Sequence, residues 1–199
     1  MIHEHRRREV KDPLIRKQEI LNQAMMLFTR QGYENTSMRD IAKSLNISLG
    51  LCYRYFDSKQ VLFDEAINQY VKKCSDMFIY VFENSNKDFS GKMEEIYKIM
   101  INEDDIFPYH QFFHQPQNQD LHHELTLRIC QKIIPFITQE LENYCQEKHL
   151  LIQNMDFLVQ FLTYGQIGLI SHQNMPQEEV LQCMKRYINI LIKSEMIPD

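Results

Sequence analysis

Apolar positions recur along this chain with the spacing of helices. In Ser37–Lys59 (SMRDIAKSLNISLGLCYRYFDSK) Met38, Ile41, Ala42 and Leu45 fall at i, i+3, i+4 and i+7, one stripe of an amphipathic helix. Ser37 stands where an N-cap belongs, and Asp40 three residues on can reach back to it. Asn46 sits where the chain must turn and tolerates a left-handed backbone better than most residues. Ser48 is placed to cap a second helix, Leu49–Phe56, and Asp57 with Gln60 to cap a third. Two short helices about so tight a turn form a helix-turn-helix, whose second helix fits the major groove of DNA.

Before it, Asp12-Pro13 marks a helix start, Ile20, Ala24, Leu27 and Phe28 give its buried face, and Gly32 stops it. After it, one long helix is predicted from Ser58 to about Glu83, with Leu62, Ala66, Tyr70, Cys74, Phe78 and Val81 on one face. Nothing in that span breaks a helix, so it reads as a rigid rod. Asn84–Gly91 reads as a linker. A helix carrying Met93, Ile96, Tyr97, Met100 and Ile101 follows, then an irregular aromatic-rich stretch, Ile106–Gln119. Leu121–Lys148 is a further predicted helix in which Pro135 removes a backbone bond and is expected to cause a kink.

The last two stripes are the most regular. Met155, Leu158, Val159, Leu162, Leu169 and Ile170 line one helix, which contains Gly165 and Gly168; Val180, Leu181, Met184, Tyr187, Ile188, Leu191 and Ile192 line the other. Both exceed what packing one face on a small body requires. Two such helices from each of two chains would close a four-helix bundle. Leu158, Leu162, Gly165, Leu169, Met184, Tyr187, Ile188 and Leu191 are therefore the expected homodimer interface. The fold class is all-α, with 5 glycines, 6 prolines and no alternating run long enough for a sheet. The expected domains are a basic N-terminal segment (1–12), a helix-turn-helix head (13–58) and a helical body (59–199).

Charge sharpens this division. The net charge of −5 says nothing for DNA, but residues 1–60 carry 11 Lys/Arg against 7 Asp/Glu, whereas the rest is acidic. A basic head on an acidic body points the head at phosphates. Arg6-Arg7-Arg8 lies in a polar segment that is either a solvated tail or an arm adding phosphate or minor-groove contacts. The 5 cysteines, with no C-x-x-C pair, suggest reduced thiols in the cytosol; Cys52 alone lies beside the DNA-facing helix. No apolar span reaches membrane length and the N-terminus has no signal-peptide core, so a cytoplasmic protein is expected. His110 and His114 at i, i+4, followed by His122-His123, have ligand-like spacing, but no Cys or acidic ligand stands at matching spacing and no metal or other cofactor is expected. Nucleophile elbows, phosphate loops and H-E-x-x-H are absent from the sequence, which argues against an enzyme.

The run I-A-x-x-L-N-I-S-x-G-x-C-Y-x-Y-F-x-S-K, Ile41 to Lys59, resembles the DNA-binding signature of TetR/AcrR-type bacterial transcriptional regulators. It departs from the usual pattern at Leu45 and Asn46, where a small residue and Gly are common, and at Cys52, commonly aliphatic. The resemblance implies DNA contacts from Ser37 and Arg39, and from Ser48, Leu49, Gly50, Leu51, Tyr53, Arg54, Tyr55 and Lys59. Elementary chemistry supports most of these. Serine hydroxyls suit phosphate oxygens, Gly50 permits close approach, Lys59 is a point charge, and a guanidinium such as Arg54 can grip guanine in a bidentate way. Tyr55 suits either contact or scaffold. Phe56, Ile41, Ala42 and Ile47 are expected core.

The resemblance also implies a body that binds a small molecule and thereby changes the spacing of two heads in a dimer. Its candidate lining here is Tyr97, Met100, Phe107, His110, Phe112, Phe113, Tyr164 and Gln166, adaptable apolar walls with a few orienting polar groups. Glu103-Asp104-Asp105 reads as a solvated helix end. Two readings of function follow: a dimeric repressor of a palindromic operator, released by an apolar or aromatic effector, or a small-molecule-binding or scaffolding protein without operator binding.

Overall fold

The computed structural model describes residues 12–101, 109–167 and 176–198. It is built almost entirely of helices: α1 Pro13–Gln31, α2 Met38–Ser44, α3 Leu49–Tyr55, α4 Lys59–Glu83, α5 Phe89–Ile101, α6 His110–Phe113, a 3-10 turn Pro116–Asn118, α7 Gln119–Lys148, α8 Met155–Tyr164 and α9 Gln177–Glu195. Two strands, β1 Leu150–Ile152 and β2 Met196–Pro198, pair antiparallel with Leu151 opposite Ile197. Three residues are too few to show an alternating pattern, so the all-α expectation passed over them. His149, at φ 54°, closes α7 in the left-handed region and turns the chain into β1.

The chain divides into two compact units, Met1–Asn68 and Gln69–Asp199. The division falls inside α4 rather than before it, because Leu62, Phe63, Ala66 and Ile67 are buried in the first unit. α1 begins as expected, Asp12 Oδ1 accepting the Leu14 N–H at 2.8 Å ahead of Pro13, and ends at Gly32, whose φ of 86° a Cβ would strain. Leu27 is only half-buried; Leu21 and Met25 join Ile20, Ala24 and Phe28 inside. Phe28 and Phe63 meet edge to face at 5.7 Å, with Tyr33 4.8 Å from Phe63. Such aromatic pairs add about 0.5–1.5 kcal/mol each beyond burial, useful to a head of this size. The cap of α4 is Ser58 rather than Asp57: its Oγ accepts the Val61 N–H at 3.1 Å, being the residue directly before the first helical turn.

In the second unit Tyr97, Leu141, Leu158, Val159, Leu162, Leu181, Ile188 and Ile192 make one core, from α5, α7, α8 and α9. Val81, Phe82 and Ile96 make another. The linker between α4 and α5 is shorter than expected, because Phe89 and Ser90 already belong to α5. Pro135 lies on the exposed side of α7, and the helix continues past it. The stretch expected to be irregular holds α6 and the 3-10 turn.

One charged pair is buried among these helices: Lys92 Nζ lies 2.6 Å from Glu140 Oε2, with the side chains 8% and 11% exposed. Removing one partner would strand the other. Glu140→Gln is expected to cost about 3–5 kcal/mol, read as a lowered denaturant midpoint, and Lys92→Met with Glu140→Leu together to restore most of it.

Candidate nucleic-acid interface and body cavity

The turn between α2 and α3 is set by its backbone. Asn46 has φ 53°, and the N–H groups of Asn46 and Ile47 donate to Lys43 O and Ala42 O at 3.1 and 3.0 Å. The Ile47 bond closes a Schellman-type stop, so Asn does here what Gly does elsewhere. At the start of α2 the capping box is complete: Asp40 N–H donates to Ser37 Oγ at 3.2 Å, and Ser37 N–H to Asp40 Oδ2 at 2.9 Å. Ser37 Oγ also donates to Asp40 Oδ2, and this bond with the backbone one holds the Asp40 carboxyl below the usual carboxylate range. A carboxyl with a depressed pKa contributes its stability above the unfolded value and loses it as pH falls through the folded one. Ser37→Ala is expected to cost about 1 kcal/mol at neutral pH, and this deficit to narrow in acid, as read by thermal unfolding at the two pH values.

Cys52 within α3 and Phe56 at its C-cap are buried, 0% and 2% exposed, and Ser48 Oγ caps the start of the helix by accepting the Leu51 N–H at 3.2 Å. Gly50, Tyr53 and Arg54 are exposed on the other side. A Cβ added at Gly50 would meet no atom within 4 Å, so the chain's own packing does not require glycine there. Leu49, Leu51 and Tyr55 are half-buried, as is Ile47, while Ser48 and Arg39 are exposed. Ile41 and Ala42 are core. Two of the implied DNA contacts have internal work as well. The Ser37 hydroxyl proton is committed to Asp40. Lys59 Nζ donates to Tyr33 O at 2.8 Å and lies 4.1 Å from that ring, bracing the segment between α1 and α2. Lys43, unassigned from sequence, is an exposed cation in the last turn of α2. Cys52 is fully buried and burial pushes its thiol pKa up, so it stays protonated and unreactive.

The second unit holds a cavity of about 170 Å³. Of the expected lining, Tyr97, Met100 and Gln166 face it. His110, Phe112 and Phe113 are buried elsewhere, and Tyr164 is half-buried outside the described wall. They lie off the cavity because α6 folds them into its own contacts: Phe113 packs on Tyr70 at 4.4 Å and on Phe112 at 5.3 Å. Phe107 and Glu103-Asp104-Asp105 lie outside the described residues, as do Gly168, Leu169, Ile170 and the 1–11 segment. The walls that sequence did not single out come from α4 (Tyr70, Cys74, Phe78) and α7 (Thr126, Cys130). Their apolar stripes look the same whether they face a cavity or a core. His110 and His114 stack at 3.7 Å, with His122 4.3 Å from His114 at the cavity. Burial, then His123 and His110, lower the pKa of His122, which keeps that ring neutral at neutral pH. Among the described residues no His, Cys, Asp or Glu group is arranged to hold a metal ion, and none of the helices there is long and apolar enough to cross a membrane.

The residues expected at a dimer interface divide. Leu158, Leu162, Met184 and Ile188 are at most 8% exposed and pack inside their own body, so they do not present themselves to a partner, and Leu191 is half-buried. Gly165 and Tyr187 are exposed. The apolar side chains that α8 and α9 leave in solvent are Phe157 (73%), Phe161, Tyr187 and Ile190. Of the expected stripes, the described residues Leu158, Val159, Leu162, Leu181, Met184, Ile188 and Ile192 are used by the core.

Comparison with known proteins converges on one family. Residues 20–66 match the model of bacterial regulatory proteins, tetR family. The chain is 28% identical over 149 residues to the biofilm operon icaADBC HTH-type negative transcriptional regulator IcaR of Staphylococcus epidermidis, covering 71% of this chain and 76% of that protein. It is 30% identical over 84 residues to IcaR of Staphylococcus aureus strain Newman, spanning 43% of it. The fold matches a TetR/AcrR-family regulator of Thermobifida fusca (TM-score 0.64, 18% identity, 89% of this chain and 97% of that one). It also matches a Saccharomonospora viridis regulator solved with choline (TM-score 0.62, 19% identity, 88% and 96%). These relatives are transcriptional regulators rather than enzymes. The helix-turn-helix head, residues 20–66, is thus similar to that of the tetR family of bacterial regulatory proteins, and the all-α fold is the one TetR/AcrR-family regulators share.

Proposed function

We propose that the protein is a cytoplasmic homodimeric repressor whose two α3 helices read the halves of a palindromic operator, and that a small molecule held in the body releases it. The observation that carries this reading is the outer face of α3, where Gly50, Tyr53 and Arg54 are exposed although the inner face is fully packed. Arg54 supplies base readout, and Ser37, Arg39, Ser48, Leu49, Leu51, Tyr55 and Lys59 supply flanking or supporting contacts. One head reads one half-site, so a two-fold operator calls for two chains. Phe157, Phe161, Tyr187 and Ile190 are the surface on which the second chain would pack. The cavity in the second unit takes the effector, and α4, which begins in the head unit and ends in the body unit, supports coupling between them. The similarity to negative regulators favours repression.

Fluorescence anisotropy with DNA from upstream of the protein's own coding region tests this. Binding should prefer that DNA over a scrambled duplex and should weaken steeply with salt as counterions are released. Binding without sequence preference, or none, would favour the alternative of a helical small-molecule or scaffolding protein.

A further inference from the structure

Where α7 meets α8, the wall of the body cavity has its threonine hydroxyl hydrogens turned away. Thr126 Oγ1 donates to His122 O at 2.9 Å and Thr163 Oγ1 to Val159 O at 2.6 Å, each bonding back four residues along its own helix. Gln166 Nε2 donates one of its two hydrogens to Leu162 O at 2.5 Å in the same way, and the amide oxygen keeps both lone pairs. The Cys130 thiol points at Thr163 O, 4.0 Å away. Thr126 and Cys130 share one face of α7, Thr163 lies in the last turn of α8 packed against it, and Gln166 follows just beyond that helix. A hydroxyl that donates keeps two lone pairs, and an amide oxygen only accepts. What Thr126 and Thr163 offer a ligand is therefore acceptors, and Gln166 adds its amide oxygen beside one remaining N–H.

The rest of the described lining is aliphatic, aromatic, Met, Cys or His, and contains no Asp, Glu, Lys or Arg. The buried Lys92–Glu140 pair is satisfied internally and lies outside the lining. A charged ligand would lose its hydration here and meet no counter-charge on the described wall, which is costly. The volume of about 170 Å³ is close to that of an engineered apolar cavity that holds a benzene ring.

Resting on the reading of the body as an effector site, we infer that the occupant is an uncharged molecule of about one substituted ring carrying a hydrogen-bond donor, an O–H or N–H, aimed at Thr126, Thr163 and Gln166. An apolar ring of the same size would fill the cavity but leave these acceptors dry. An anion would bring further acceptors to two threonine hydroxyls whose hydrogens are already used, and would find no Lys or Arg on the described wall.

The test uses a matched series on the full-length protein at pH 7: p-cresol, p-xylene, 4-methylbenzoate and 4-methylbenzylammonium, titrated by calorimetry, with operator release measured in parallel. p-Cresol, neutral at this pH because phenols titrate near 10, should bind roughly three- to tenfold more tightly than p-xylene, the worth of one net hydrogen bond. Thr126→Val with Thr163→Val should bring the ratio close to one while p-xylene still binds, which also shows that the variant is folded. The inference is overturned if p-xylene or either ion binds as well as p-cresol, if the ratio survives the double substitution, or if no probe binds. Release of the operator by an ion would sink the ligand class but keep the effector reading. Binding of p-cresol with the expected ratio and no release by any occupant would sink the effector reading but keep the ligand class.

Discussion

Gly50→Glu is expected to leave the head folded and to abolish operator binding. A Cβ at this position touches nothing within 4 Å, so the folded chain has room for a side chain. Alanine there should even stabilise the head by about 0.5–1 kcal/mol, since glycine is a poor helix former. If the outer face of α3 lies against DNA, a carboxylate at Gly50 meets phosphates of like charge at short range. That costs several kcal/mol, or about 100-fold or more in affinity. Arg54→Ala should cost about 1–3 kcal/mol and relax preference at one base pair, and Arg54→Lys should not restore it, because an ammonium lacks the planar fork. Unchanged anisotropy titrations for both variants, with unchanged circular dichroism, would remove α3 from the interface.

Phe157→Glu combined with Tyr187→Glu is expected to split the dimer into chains of 24.0 kDa, read by light scattering after size exclusion. The two side chains are 73% and 51% exposed, so charge there costs the single chain little. In an apolar contact between chains the same charges would be buried unpaired and drive the chains apart. Operator affinity should fall with them, because a lone head retains one half-site. Leu158→Ala is the contrasting control. It is the residue next to Phe157 but is 5% exposed, so the substitution should lower unfolding stability by about 2–5 kcal/mol rather than dissociate chains. A double-glutamate variant that keeps twice the chain mass would place the interface elsewhere.

Much of the head was legible because local chemistry decides it. Ser37 with Asp40, Asn46, and Gly32 each have one conformation they serve well, and the structure puts them in it. Asp57 was the wrong cap only because two adjacent residues both cap well, and Ser58 stands one step closer to the first turn. The body was harder. Periodicity says which side of a helix is apolar but not what covers it, so Leu158, Leu162, Met184 and Ile188 read as a partner-facing stripe when they belong to their own core. The same blindness hid the cavity walls on α4 and α7. His110, Phe112 and Phe113 were placed at the cavity by composition, but the turn at Tyr109, with φ 80°, starts a short helix that carries them off its wall. No local signal marks that turn, since tyrosine rarely adopts a positive φ.

The central claim is that two α3 helices read one two-fold site. Footprinting of the upstream DNA, with stoichiometry from the same preparation, addresses it directly. The expected result is two protected half-sites about one helical turn apart, filled together by two chains. A single protected half-site filled by one chain, or no protection at concentrations where the protein is folded and dimeric, would contradict it.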